Sequence, residues 1–135
     1  MASICKEIRV TATPDAAWSA IRDIGALHHR LVPGIVIDTR LEPGARVVTF
    51  GNGLVVRELI VDLDDQARRL AWSARSERLA HHNAFVQVFE AESGGARIVW
   101  ICDLLPNEMR ETVEGMIDDG MAAMKRTLDG LRVVA

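Results

Sequence analysis

The chain has 135 residues, 49% hydrophobic and 26% charged, with a formal net charge of −3 at pH 7. That length is enough to bury about two-thirds of the unfolded surface, so a single domain over residues 1–135 is expected. The positive residues are scattered and no apolar run nears the ~20 residues of a membrane-spanning helix, so neither nucleic acid nor a membrane span is expected.

Residues 3–12 alternate as a strand, with Ile4, Ile8 and Val10 on one face and Glu7, Arg9 and Thr11 on the other. The preceding start, MASICKEIRV, lacks a signal-peptide core. TPDAAW then opens a helix, with Thr13 as N-cap, Pro14 at the first helical position and Asp15 in the first turn. It runs to about Ile24, and a short helical piece over 26–31 is broken by Val32-Pro33-Gly34. Six strands follow, over 35–42, 45–51, 54–64, 68–76, 82–92 and 96–105, separated by turn residues such as Pro43-Gly44 and Ser93-Gly94-Gly95. Connections this short force sequential antiparallel pairing, because a parallel crossover needs a dozen residues or more. Cys5 and Cys102 sit inside apolar strands without metal or redox spacing, which reads as reduced, buried thiols in a cytoplasmic protein.

Pro106 to Leu131 closes the chain as one long amphipathic helix. Its apolar stripe is Val113, Met116, Ile117, Gly120, Met121, Met124, Leu128 and Leu131. A glycine at the centre costs a helix about 1 kcal/mol relative to alanine, and methionine adapts to irregular apolar surfaces. Both choices suit a helix that walls an adjustable cavity. A curved antiparallel sheet needs such a helix across its concave face, and where the sheet curls away a gap remains.

ATPDAAW after the first strand, Asp23 and Leu31-Val32-Pro33-Gly34 after the helix pair, GLVVRELIVDLDD in the middle and ARIVWICDLLP before the final helix resemble the START-like superfamily. This is the SRPBCC group, which contains bacterial polyketide cyclases, lipid-transfer domains and the birch-pollen allergens. The resemblance covers essentially the whole chain. It implies an α+β helix-grip fold, in which a seven-stranded curved antiparallel sheet wraps around the long C-terminal helix, with two short helices between strands 1 and 2.

Within that fold, strand alternation assigns faces. A tight turn at Gly94-Gly95 pairs Glu90 with Val99, Val88 with Ile101, Val86 with Asp103 and Ala84 with Leu105. Resemblance to the plant hormone receptors of the superfamily puts that face inward, together with Val56, Glu58 and Ile60. The opposite parity holds Phe85, Phe89, Trp100 and Cys102, and a one-residue change of turn inverts it. Cavity candidates are therefore Glu58, Asp103, His82, Trp72, Val56, Val86 and Ile101 from the sheet, with Met116, Gly120, Met121 and Met124 from the helix. Asp103 lies in a wholly apolar run, where it reads either as a ligand anchor with a raised pKa or as a structural cap or ion pair. Glu58 reads as a cavity carboxylate or as an exposed cross-strand ion pair, and Lys6 as a counter-ion for Asp103 or a snorkelling lysine.

His28-His29 and His81-His82 each offer at most one inward imidazole from a strand. The ligand spacing of the superfamily's iron domains is absent, so no metal and no cofactor is expected. Trp100 and Phe89 on the outer parity suggest an apolar patch and a homodimer, against a monomer if the register differs. No GxSxG, Cys/His pair or phosphate-cradling loop is present. The expected function is binding of a small hydrophobic or aromatic molecule between helix and sheet. The alternatives are a polyketide cyclase/dehydratase using Glu58 and Asp103 as general acid and base, and a partner-binding module using the convex patch.

Overall fold

The computed structural model describes residues 1–131. Seven antiparallel strands form one sheet in the order β1-β7-β6-β5-β4-β3-β2, where β1 is Ala2–Val10, β2 Val36–Glu42, β3 Ala45–Phe50, β4 Val55–Asp64, β5 Arg69–Arg75, β6 His81–Glu90 and β7 Ala96–Leu105. Between β1 and β2 lie α1 (Pro14–Arg22) and a π-helical turn (Leu27–Leu31), and α2 (Arg110–Asp129) closes the chain. This is the helix-grip fold. Sequential strands pair through short loops, so β2 to β7 form a meander, while β1 returns to the far edge beside β7.

Local chemistry accounts for the element ends. The Thr13 hydroxyl accepts from the Ala16 N–H at 3.1 Å and Pro14 begins α1. At the β2–β3 hairpin Glu42 faces Ala45 across a two-residue turn, in which Gly44 takes φ +69°, a left-handed conformation open to glycine. The second helical piece winds wider than an α-helix, with the Val32 N–H donating to the Leu27 carbonyl at 2.9 Å.

Polar contacts attach α2 to one edge of the sheet. Arg110 donates to the Ser3 carbonyl, Lys6 pairs with Glu114 at 3.4 Å and Asp118 at 3.3 Å, Lys125 donates to the Arg9 carbonyl at 2.7 Å, and Asp129 accepts from the Thr11 N–H at 2.8 Å. Lys6 thus shares the helix-facing parity of Ile4 but serves α2, not Asp103. On the other side of α2 the sheet curls away through β5, β4 and β3, none of which packs against the helix as β1 does.

The register of β7 differs from the one expected. Glu90 pairs with Ala96, Val88 with Ile98, Val86 with Trp100 and Ala84 with Cys102. Residues 91–95 form the loop, closed by bonds from the Ala91 N–H to the Gly95 carbonyl and from the Gly94 N–H to the Ala91 carbonyl, both 3.0 Å. The shift is three residues, an odd number, so every β7 side chain changes face. Ile98, Trp100, Cys102 and Leu104 point toward the helix, while Ile101 and Asp103 lie on the convex face. Gly95 is held here because a Cβ on it would run into the Val10 carbonyl oxygen.

The inversion also dissolves the expected Trp100/Phe89 patch. Phe89 stays outside, but the Arg97 guanidinium lies over its ring at 4.6 Å, and Arg69 covers Phe85 at 4.3 Å. Cys5 is exposed, contrary to the expectation of a buried thiol. Cys102 is buried, and desolvation pushes its pKa up to about 11, which leaves the thiol unreactive. We predict that Gly95→Ala destabilises the protein by about 2 kcal/mol through backbone displacement at the β1–β7 end. Urea unfolding measures this, and an unchanged midpoint would show that the loop relaxes freely.

Candidate functional site

Between α2 and the curled half of the sheet lies a cavity of about 190 Å³. Its floor comes from β4, β5, β6 and β7, through Val56, Glu58, Leu70, Trp72, His82, Val86 and Trp100. Its roof is Val113, Met116, Ile117, Gly120 and Met124 of α2. The π-helical turn, the β3–β4 turn and the β5–β6 loop complete the wall with Leu27, Phe50, Leu54 and Leu79, and Leu54 and Arg78 are exposed where the cavity meets solvent.

Eight of the residues singled out from sequence line this space: Glu58, His82, Trp72, Val56, Val86, Met116, Gly120 and Met124. Met121 is buried in the core instead, 4% exposed, on the part of α2 turned away from the cavity. Ile101 and Asp103 are outside it because of the β7 register. The expected acidic pair of Glu58 and Asp103 therefore does not form. Trp100 takes the inner position in their place.

Glu58 has a partner that the sequence reading missed. Arg46 is its cross-strand neighbour on β3, and Arg46 Nε donates to Glu58 Oε1 at 2.8 Å, the two side chains being only 4% and 11% exposed. Arg46 also contacts the Ile24 carbonyl at 3.5 Å and lies 5.7 Å from the Trp72 ring. The signal was present in the pairing: with Pro43-Gly44 and Gly51-Asn52-Gly53 as turns, Arg46 shares the face of Val48, which is fully buried. A charged group inside a sheet requires a partner of opposite charge.

The indole of Trp72 meets that of Trp100 edge to face, with centroids 5.5 Å apart and planes at 64°. Trp100 in turn lies against Gly120. A Cβ on Gly120 would stand 3.2 Å from Trp100 Cζ3 and 3.4 Å from Cη2. Gly120 therefore seats an indole ring, and only indirectly leaves room for a ligand. Glu58, Arg46, Trp72, Trp100 and Gly120 form a continuous line of contacts from sheet to helix.

His82 occupies a break in the sheet. The β5–β6 pairing stops at Trp72 and Ala84. Beyond it the Ala74 N–H donates to His82 Nδ1 at 2.9 Å, and the Ser73 hydroxyl donates to the His82 carbonyl. A backbone donor on Nδ1 fixes the neutral tautomer with hydrogen on Nε2. Burial, and then the neighbouring His81, lower the pKa of His82 from 6.5 to about 4. The His28 and His29 rings lie 3.9 Å apart, tilted at 41°, and His28 Nδ1 lies 3.0 Å from the Thr39 hydroxyl, away from the cavity wall. Among the described residues no cluster of three or more His, Cys, Asp or Glu is arranged to hold a metal.

Two predictions follow from the ion pair and the histidine. Removing one charge, by Arg46→Met or Glu58→Met, leaves the other buried without its partner and costs about 3 kcal/mol, whereas replacing both by methionine restores much of it; a double-mutant cycle in urea decides this, and additive losses would contradict it. For His82 the unfolded state binds the proton more readily. Stability is complete above pH 6.5 and declines as pH falls toward 4, by up to about 3 kcal/mol. In His82→Gln, which keeps an acceptor for Ala74 without titrating, that part of the slope is absent; equal slopes would mean that His82 is protonated in the native state.

A family model described as polyketide cyclase / dehydrase and lipid transport matches residues 1–129. No protein of curated function matches the chain. Among solved structures, XoxI from Bacillus cereus superposes with a TM-score of 0.87 at 17% identity, covering 99% of this chain and 100% of that one. The di-domain ARO/CYC BexL of the BE-7585A biosynthetic pathway gives a TM-score of 0.82 at 14% identity, over 96% of this chain and 47% of that chain. Truncated norcoclaurine synthase from Thalictrum flavum gives 0.73 at 16%, over 97% and 95%. Identities this low are evidence of shared fold alone.

Proposed function

The chain belongs to the polyketide cyclase/dehydrase and lipid transport family, and from that premise we propose that it binds a small hydrophobic or aromatic molecule in the cavity between α2 and the sheet. The observation that carries this reading is the cavity itself: about 190 Å³, walled mainly by aliphatic, methionine and tryptophan side chains, with its buried charges already paired. An apolar cavity of ~150 Å³ takes up benzene, so this one suits a molecule of one or two rings. Methionine at 116 and 124 lets the roof adapt to more than one shape.

A cyclase or dehydratase acting through two cavity carboxylates finds less support. Asp103 is on the opposite face, and Glu58 is bound by Arg46. His82, with a pKa of about 4, is a weak general base near neutral pH.

Native mass spectrometry of the purified protein tests occupancy directly, the expected result being a co-purified molecule of low mass. Added indane should raise the melting temperature, by an amount equivalent to about 2.7 kcal/mol at one hundred times its Kd. In Gly120→Leu the new side chain pushes Trp100 into the cavity and weakens indane binding at least tenfold, as read by calorimetry on protein whose fold is checked by circular dichroism. Unchanged affinity in that variant would remove the cavity as the binding site.

A further inference from the structure

Resting on the reading of the cavity as a ligand site, we propose that its occupant is an uncharged one- or two-ring molecule bearing a carbonyl-type acceptor, and that this acceptor takes the indole N–H of Trp100. Three observations converge on that chemistry.

The first is a donor without an acceptor. Trp100 lines the cavity, yet its Nε1 is buried with no hydrogen-bond partner among the described residues. Trp18 shows the ordinary situation, its Nε1 donating to Asp65 Oδ1 at 2.9 Å. Buried polar groups in native proteins are nearly always satisfied, so an orphan on a cavity-lining residue calls for a partner; Nε1 itself has almost no accessible surface in the empty cavity, so the ligand reaches it only by displacing the adjoining side chains. Trp100 cannot swing toward α2 to find a partner, because Gly120 and Trp72 hold its ring on two sides.

The second is the balance of charge. Arg46 and Glu58 neutralise each other within the wall, and Arg78 is exposed at the rim. A carboxylate entering the cavity would lose its hydration and find no free counter-charge. The third is the supply of donors over acceptors. The carboxylate of Glu58 receives a guanidinium N–H at Oε1 and keeps Oε2 as an acceptor, against which stand the donors His82 Nε2–H and Arg46 Nη2, the latter without an acceptor among the described residues. The wall therefore favours a ligand that accepts hydrogen bonds over one that donates them.

The test uses the full chain, labelled with ¹⁵N, and three matched bicyclic probes: indane, 1-indanone and indane-1-carboxylate. Affinities come from calorimetry, and the indole resonance of Trp100 is assigned with Trp100→Phe. The expected result is that 1-indanone binds about threefold to tenfold more tightly than indane, the worth of one net hydrogen bond, and at least tenfold more tightly than the carboxylate. The Trp100 indole proton moves downfield with 1-indanone and stays in place with indane. Trp100→Phe abolishes the preference for the ketone and keeps indane uptake; should that variant fail to fold, the wild-type resonance decides alone. Indane bound as tightly as the ketone, with the indole proton unmoved, overturns the proposal while leaving the cavity reading intact, and means that the N–H is already directed at the Trp72 ring. Tightest binding by the carboxylate overturns it too, in favour of recognition by Arg46 or Arg78. Failure of all three probes to bind overturns the cavity reading and this inference with it.

Discussion

The contact between Trp100 and Gly120 sets the distance between helix and sheet. An indole ring stands between β7 and α2, and its far edge approaches the helix backbone as closely as an absent side chain permits. Polar bonds hold α2 along β1 on one side of that strut. On the other side the sheet curls away through β5, β4 and β3, and a single helix cannot follow it. The cavity is the space that this geometry leaves.

The strut also ties the hydrophobic and charged parts of the wall together. Trp72 braces Trp100 edge to face, and Arg46 lies beside Trp72 while bonding to Glu58. A buried ion pair contributes little net stability compared with apolar residues of the same size, because desolvation offsets the Coulomb attraction. Its effect here is on chemistry. It gives a sheet that could have been wholly apolar a polar but electrically balanced region, within reach of anything that enters. His82 adds a neutral imidazole whose tautomer is set by a backbone N–H, at the point where β5 and β6 cease to pair.

Much of the wall was legible along the chain. Val56, Glu58, Trp72, His82 and Val86 follow from alternation within β4, β5 and β6, and Met116, Gly120 and Met124 from three-and-four spacing along α2. These periodicities are local and sort each strand into two faces, and the superfamily resemblance supplied which face is inward. The pairing of Glu58 with Arg46 was legible in principle, because the two-residue turn at Pro43-Gly44 determines the face of every β3 side chain. Asp103 and Ile101 were placed wrongly for a different reason. Alternation within β7 divides its residues into two sets, Ile98-Trp100-Cys102-Leu104 and Val99-Ile101-Asp103-Leu105, both largely apolar. Nothing within the strand says which set is inside. The choice rests on a loop in which Gly94-Gly95 mimics a tight turn, while the hydrogen bonds close over residues 91–95.

The sequence by itself determined the order of elements, the antiparallel meander and the amphipathic helix. Those follow from periodicity, turn chemistry and connection length, which act over a few residues. Only the tertiary structure decided which face of β7 is buried, and so whether the cavity holds an aspartate or a tryptophan. That outcome depends on Gly95 lying against the Val10 backbone and on Trp100 meeting Gly120, contacts between segments that are far apart in the chain. Gly120 illustrates the division. Its place on the apolar stripe was evident from spacing, but the ring that makes a glycine necessary there belongs to another strand, and a one-residue slip would have turned that ring to solvent.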